Sequence, residues 1–248
     1  MGVRAVTWHG PEDVRVEDVP DPEITAPDDV LLRVERTAVC GSDLHVYRNE
    51  IPGVLPGTVM GHEFVGTVEE TGPGVRRFSA GDRVVGPFHV ACGSCTACRR
   101  SEYHQCEESG VYGYGMAFGD LSGAQAELLR VPHGDVNLWR VPEEMAPESA
   151  LFAGDILSTA HGAVRRAELR PGETCAVIGC GPVGLLVVEC ARLFGASRVF
   201  ALDLVERRAE AAADRGAVGI HSGSVNPVAR VQELTGGEGA DVVVEAVG

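Results

Sequence analysis

Apolar and polar positions alternate in short runs through the N-terminal half of the chain. Val30, Leu32 and Val34 alternate with Leu31, Arg33 and Glu35, the period of two that belongs to a strand. Similar stretches recur over Glu63 to Glu69 and Asp82 to Val85, closed by turn signals such as Gly72-Pro73-Gly74 and Gly86-Pro87. This texture predicts a compact β-rich domain up to about residue 150. A helical stretch is expected over Pro147 to Leu169, with Arg170-Pro171-Gly172 at its end. The pattern then changes. Strand runs at Thr174 to Ile178, Arg198 to Asp203, Ala217 to His221 and Asp241 to Glu245 are separated by helical runs at Pro182 to Phe194, Glu206 to Arg215 and Pro227 to Leu234. Strands alternating with helices mean βαβ units and a parallel sheet, so residues 156–248 read as an α/β domain following the β-rich one. No internal repeat or low-complexity segment is present.

Charge and composition narrow the function classes. The 248 residues carry 21 Lys and Arg against 36 Asp and Glu, a formal net charge of −15, with 5% aromatics. Such a chain offers neither a basic stripe for phosphates nor a stacking platform, so no nucleic-acid partner is expected. The longest apolar runs, such as Val183 to Val188, fall far short of the roughly 20 residues of a spanning helix. Met1 to Arg4 leads into an alternating pattern rather than an apolar signal core. A cytoplasmic protein with no membrane partner is expected. Of the eight cysteines, Cys92, Cys95, Cys98 and Cys106 are clustered, while Cys40, Cys175, Cys180 and Cys190 are scattered. Clustered thiols in a chain of this size favour metal over disulfides.

The cluster is the strongest single signal. Four sulfurs brought together by tight turns near residues 88–108 can close a tetrahedral zinc shell with no position left for water, which makes the site structural. Four thiolates suit an iron–sulfur cluster as well, and four unrelated core thiols would not produce this spacing. The run Gly179-Cys180-Gly181-Pro182-Val183-Gly184 follows a predicted strand and opens a predicted helix, with Asp203 closing the next strand. Together these make a dinucleotide fingerprint: glycines admit the pyrophosphate to the helix N-terminus, and the carboxylate accepts from ribose hydroxyls while repelling a 2′-phosphate. NAD is therefore favoured over NADP. Arg207 and Arg208 could serve a 2′-phosphate or line a solvated helix face. A third set, Cys40, His62, Glu63 and Asp155, is dispersed, and the residues alone do not bring it together. A lone Cys is usually core, and Asp155 could cap a helix.

The order of Cys40-Gly41-Ser42-Asp43, Gly61-His62-Glu63-Phe64-Val65-Gly66, Gly81-Asp82-Arg83-Val84, the cysteine lobe and the glycine fingerprint resembles zinc-dependent medium-chain alcohol dehydrogenases. The resemblance spans essentially the whole chain. It implies a GroES-like catalytic domain over 1–155, an incomplete Rossmann domain over 156–248, two zinc ions and NAD. By the same resemblance Cys40 and His62 are catalytic-zinc ligands, and the third place, commonly Cys, is taken by Asp155 in Asp155-Ile-Leu-Ser-Thr-Ala-His161. That exchange is similar to the formaldehyde-dehydrogenase-like and threonine-dehydrogenase-like branch, and a carboxylate oxygen is an acceptable zinc ligand. Glu63 would be a fourth or alternating ligand and Asp43 an orienting partner of His62.

The implied reaction is oxidation of an alcohol or aldehyde hydrate by hydride transfer. Ser42 would take the alcohol proton and His45 deliver it to solvent, while Thr159 resembles a position that contacts the nicotinamide. The other cofactor contacts implied are Gly179, Gly181, Pro182, Val183, Gly184, Asp203 and Arg208. Family members run longer at the C-terminus, where further strands form the dimer edge. The chain is thus expected to be C-terminally truncated, any oligomer lacking its usual edge. The alternative is a truncated or split-chain protein that binds zinc and nucleotide without independent turnover.

Overall fold

In the computed structural model, which describes residues 2–248, the period-two runs become antiparallel strands. Two units are present, Met1–Asp155 and Ile156–Gly248. The first contains strands β1 (Gly2–Gly10), β2 (Asp13–Pro20) and β3 (Val30–Thr37), helix α1 (Asp43–Tyr47), strands β4 (Thr58–Val59), β5 (Phe64–Thr71), β6 (Arg83–Val85) and β7 (His89–Val90), helix α2 (Thr96–Arg99), strands β8 (Gly110–Val111) and β9 (Leu128–Val131), helix α3 (Gly134–Asn137), strand β10 (Trp139–Arg140) and helix α4 (Pro147–Leu151). The strands form sheets of order β2-β1-β4 and β10-β6-β5-β3-β9, with β7 and β8 paired separately. The inward positions of the larger sheet, Val30, Leu32, Phe64, Val68, Val84, Leu129 and Val131, close one core with Tyr112 and Leu138. Burial of these apolar side chains is the main driving force for the unit.

Register decides where the chemistry goes. Strand β3 runs antiparallel to β5 with Thr37 opposite Phe64, so the chain leaving β3 toward Cys40 and the chain entering β5 through His62 and Glu63 meet at one sheet end. The helical stretch expected over Pro147 to Leu169 is two helices, because a turn over Phe152–Asp155 interrupts it. Gly154 lies in that turn, where any Cβ would collide with the Gly86 carbonyl. Ala150 and Leu151 of α4 pack on Val65, Val85 and Val141, which carries Asp155 to the same sheet end.

Tyr112 is fully buried, its ring edge-on to Phe64 at 5.4 Å between centroids, yet its hydroxyl has no hydrogen-bond partner. A buried unsatisfied donor costs about 1–3 kcal/mol. Tyr112→Phe keeps the ring and removes that cost, so it is expected to raise stability by about 1 kcal/mol, or roughly 2–4 °C in melting temperature for a chain of this size. Denaturant titration reads this directly; a lowered midpoint would show that the hydroxyl is satisfied in solution.

The second unit contains α5 (Ile156–Arg166), β11 (Thr174–Ile178), α6 (Pro182–Leu193), β12 (Arg198–Asp203), α7 (Glu206–Ala213), β13 (Val218–His221), α8 (Pro227–Leu234) and β14 (Val242–Glu245). Its four strands are parallel, in the order β13-β12-β11-β14. Cys175, Val177, Val199 and Ala201 face α5 and α6, while Ala176, Phe200 and Leu202 face Val231 of α8. Layers on both faces explain why these strands read as continuous apolar runs rather than alternating ones. Among the described residues no helix is long and apolar enough to cross a membrane.

Candidate metal centres and cofactor loop

The cysteine lobe hangs between β7 and β8, which pair His89 with Val111 and Val90 with Gly110. Its four sulfurs lie within 4.8 Å of one another, close to the ~3.8 Å edge of a tetrahedron with 2.3 Å zinc–sulfur bonds. Backbone N–H groups point at the sulfurs: Cys95 N donates to Cys92 Sγ at 3.4 Å, Cys98 N to Cys95 Sγ at 3.5 Å, and Cys92 N to Cys106 Sγ at 3.2 Å. The Ser94 hydroxyl and the N–H groups of Ser94 and Cys95 hold the Cys92 thiol down at about 6, whereas burial and the neighbouring thiols push Cys98 up to about 12. Four sulfurs so close cannot all ionise without a cation, and a divalent metal removes that conflict. Asn137, buried on α3, fixes the base of the lobe by accepting from Ala91 N at 3.0 Å and donating to Ala91 O at 2.9 Å.

The dispersed set also assembles. One ligand atom from each of Cys40, His62, Glu63 and Asp155 lies within 4.8 Å of the other three. His62 Nε2 is 3.3 Å from Asp155 Oδ2, and Cys40 Sγ is 3.9 Å from the same oxygen. Asp43 organises the set from behind. Its Oδ2 accepts from Cys40 N at 2.8 Å, and its Oδ1 stands 3.2 Å from His62 Nδ1, a contact at ion-pair distance whose angle falls short of a hydrogen bond. Nδ1 thus faces a carboxylate and Nε2 the cluster, the orientation of a metal-binding imidazole.

Electrostatics mark the place for a cation. Burial opposes charge on His62, but contacts with Asp155, Asp43 and Cys40 carry it up to about 12. Burial and the nearby Asp155 push the Glu63 carboxyl up to about 7, and its Oε2 is buried with no hydrogen-bond partner. A divalent ion held by these side chains would neutralise the buried carboxylates and thiol in the place of protons. Thiolate, imidazole and carboxylate together suit zinc.

Around this set stand Gln125, Tyr114 and Phe88, which the sequence did not single out, and Ser42 and His45, which it did. Gln125, buried, donates to Asp43 Oδ2 at 3.4 Å and to Ala38 O at 3.2 Å. Tyr114 and Phe88 make T-shaped pairs with His62, at 5.6 and 6.4 Å between centroids. Ser42 Oγ lies 3.4 Å from His62 Nε2. His45, one turn along α1, does not join the cluster; its half-exposed ring pairs with Glu50 through Nδ1 at 2.5 Å.

In the second unit the glycine run forms the turn from β11 into α6. Gly179 sits at φ +89°, a Cβ on Gly184 would collide with the Gly179 carbonyl, and a Cβ on Gly181 would meet nothing. The first two restrictions shape the loop, and the third leaves room for phosphate at the helix N-terminus. Pro182 opens α6 with Val183 beside it, and Thr159 lies on α5. Asp203 is largely buried; its Oδ2 accepts from Cys180 N at 2.8 Å and its Oδ1 from Val205 N at 2.7 Å. Burial alone would raise it, but these donors and Arg208 keep its carboxyl below the usual range. Arg208 Nη1 is 3.9 Å from Asp203 Oδ2.

Residues 26–143 match the profile of the alcohol dehydrogenase GroES-like domain, and residues 182–248 that of the zinc-binding dehydrogenase. An uncharacterized zinc-type alcohol dehydrogenase-like protein from Bacillus subtilis is 41% identical over 99% of this chain and 68% of its own length. The chain belongs to the zinc-binding alcohol dehydrogenase family. The alcohol dehydrogenase TADH from Thermus sp. ATN1 superposes with a TM-score of 0.95 at 53% identity, covering 99% of this chain and 70% of that one. A zinc-binding dehydrogenase from Sinorhizobium meliloti 1021, solved with NADP, has a TM-score of 0.86 at 29% identity, over 100% of this chain and 70% of that one. The chain thus spans about two thirds of its relatives' length, and only 62% of one from Schizosaccharomyces pombe. Within this family, the β-rich first unit is the GroES-like domain, and the parallel sheet belongs to the Rossmann-like part.

Proposed function

We propose that the chain carries the machinery of a zinc-dependent oxidoreductase that oxidises an alcohol or aldehyde hydrate by hydride transfer to NAD, in the cytoplasm. The observation that carries this reading is the assembled donor set of Cys40, His62, Glu63 and Asp155. Cys92, Cys95, Cys98 and Cys106 would hold a second, structural zinc, for two per chain. At the first site zinc supplies Lewis acidity, which makes an alcohol hydroxyl acidic near neutral pH. Ser42, beside His62, would take the alcohol proton while giving up its own, and His45, which pairs with Glu50 on the exposed side of α1, would be the group that delivers it to solvent. The nicotinamide, which Thr159 on α5 and the glycine loop would hold, would supply the hydride acceptor that turns the alcohol into a carbonyl compound. All eight cysteines are free of disulfides, which supports a reducing compartment.

The choice of NAD rests on Asp203. Its carboxylate opposes a 2′-phosphate, but Arg208 offsets part of that charge, so discrimination of about 1–2 kcal/mol, roughly 5–30-fold, is expected. Calorimetric titration of the zinc-loaded chain is expected to give tighter binding of NAD than NADP, with Asp203→Ala narrowing the gap. Equal affinities in the unmodified chain would refute the preference. NADH formation from a panel of primary alcohols, secondary alcohols and aldehyde hydrates tests the reaction, and binding of zinc and NAD with no turnover of any of them would refute it for this chain.

A further inference from the structure

The segment Gly113-Tyr114-Gly115 is built for one purpose, to seat a ring beside the first metal centre. Gly113 and Gly115 both have positive φ, +75° and +69°. A Cβ on Gly113 would stand 2.9 Å from Gly61 N, and one on Gly115 2.7 Å from Gly53 O. Only glycine on both sides lets the backbone close on the Gly61-His62 and Gly53-Val54 segments. Gly113 N donates to Leu121 O at 2.9 Å and Met116 N to Gly53 O at 3.3 Å, so the segment is fixed at both ends. The Tyr114 ring then rests on the Trp8, Val46, Val54 and Met60 cluster and makes a T-shaped pair with His62 at 5.6 Å between centroids. Phe118 continues the wall at 5.7 Å from Tyr114 and is 39% exposed, so the apolar face runs from the buried centre out to solvent. Phe88 makes a T-shaped pair with the same imidazole. Burial pushes the Tyr114 phenol up, and the neighbouring Ser42 hydroxyl and His62 pull it back. A ring nitrogen bound to metal has no lone pair left for Ser42, which leaves the phenol as the polar neighbour of that hydroxyl.

We propose that Tyr114 is the specificity-determining residue of this centre: its ring is the wall for the carbon side of the alcohol and its phenol orients Ser42, so alcohols with an aryl or alkyl substituent are preferred to polyols. The inference rests on the reading of the centre as an alcohol site. Aromatic rings recognise apolar groups by area and edge-to-face contact, while a polyol would leave hydroxyls unpaired against them.

The test uses the full chain with cobalt in place of zinc, titrated with benzyl alcohol and with glycerol while the visible cobalt bands are followed. Tyr114→Ala is expected to weaken benzyl alcohol by about tenfold and glycerol by less than about twofold. Tyr114→Phe, which keeps the wall, is expected to hold the benzyl alcohol preference while lowering turnover of both alcohols alike. An unchanged preference in Tyr114→Ala would overturn the inference, and so would loss of the preference in Tyr114→Phe, which would assign selectivity to the phenol. Cobalt bands that neither alcohol shifts in the unmodified chain would instead overturn the alcohol-site reading itself.

Discussion

Cys98→Ser is expected to leave one zinc per chain instead of two and to lower the melting temperature by roughly 5–16 °C. Structural zinc sites contribute about 10–16 kcal/mol of apparent binding free energy, and one ligand of four accounts for about 2.5–4 of these. For a chain of this length each kcal/mol is worth about 2–4 °C. The loss should be local in origin, because the lobe is tied to the sheet by the β7–β8 pair and by the Asn137 clamp on Ala91 rather than by a large apolar core. Elemental analysis and differential scanning calorimetry check it together. A variant that loses one zinc with an unchanged melting curve would show that the lobe's metal does no structural work, and an intense visible chromophore in anaerobically purified protein would point to iron–sulfur instead.

The second large effect is at Asp155. Asp155→Ala removes the carboxylate whose Oδ2 faces both His62 Nε2 and Cys40 Sγ. Metal affinity at that centre is expected to fall by more than the roughly 10–100-fold that loss of an outer partner costs, with alcohol oxidation reduced to background. Affinity for NAD should stay nearly intact, since the glycine loop and Asp203 belong to the other unit. Asp155→Cys restores a charged ligand that is softer, so metal is retained while its Lewis acidity changes. Two zincs and unchanged turnover in Asp155→Ala would return Asp155 to the role of a residue at the start of α5.

Legibility in the sequence followed the range of the contacts. The strands β11 and β12 and the helix α8 stand where the apolar runs place them, because both faces of that sheet are buried and nothing interrupts the runs. The cysteine lobe was readable for a similar reason: its donors lie within one short segment. Cys40, His62 and Asp155 were not readable as a group from residue types, since their meeting depends on the Thr37–Phe64 register and on α4 docking against β3 and β5; only the resemblance joined them. The helical stretch expected over Pro147 to Leu169 divides into α4 and α5, since its apolar pattern is blind to the close approach of Gly154 to Gly86. Tyr114, Gln125 and Asn137 were missed altogether. A lone polar or aromatic residue carries no periodic signal, and the Gly-Tyr-Gly spacing around Tyr114 was the one local cue.

The central claim is that one chain holds two chemically different zinc centres, and zinc-edge X-ray absorption on the zinc-loaded protein tests it most directly. Two zincs per chain with a mean of about 2.5 sulfurs each at ~2.3 Å, the remainder nitrogen and oxygen at ~2.0–2.2 Å, are expected if one site has four thiolates and the other has Cys40, His62, Glu63 and Asp155. In Cys98→Ser, with the lobe's metal gone, the mean should fall to about one sulfur per zinc. A single zinc per chain surrounded by sulfur alone would contradict the account, because the buried cluster at the end of β3 and β5 would then hold protons where a metal has been assigned.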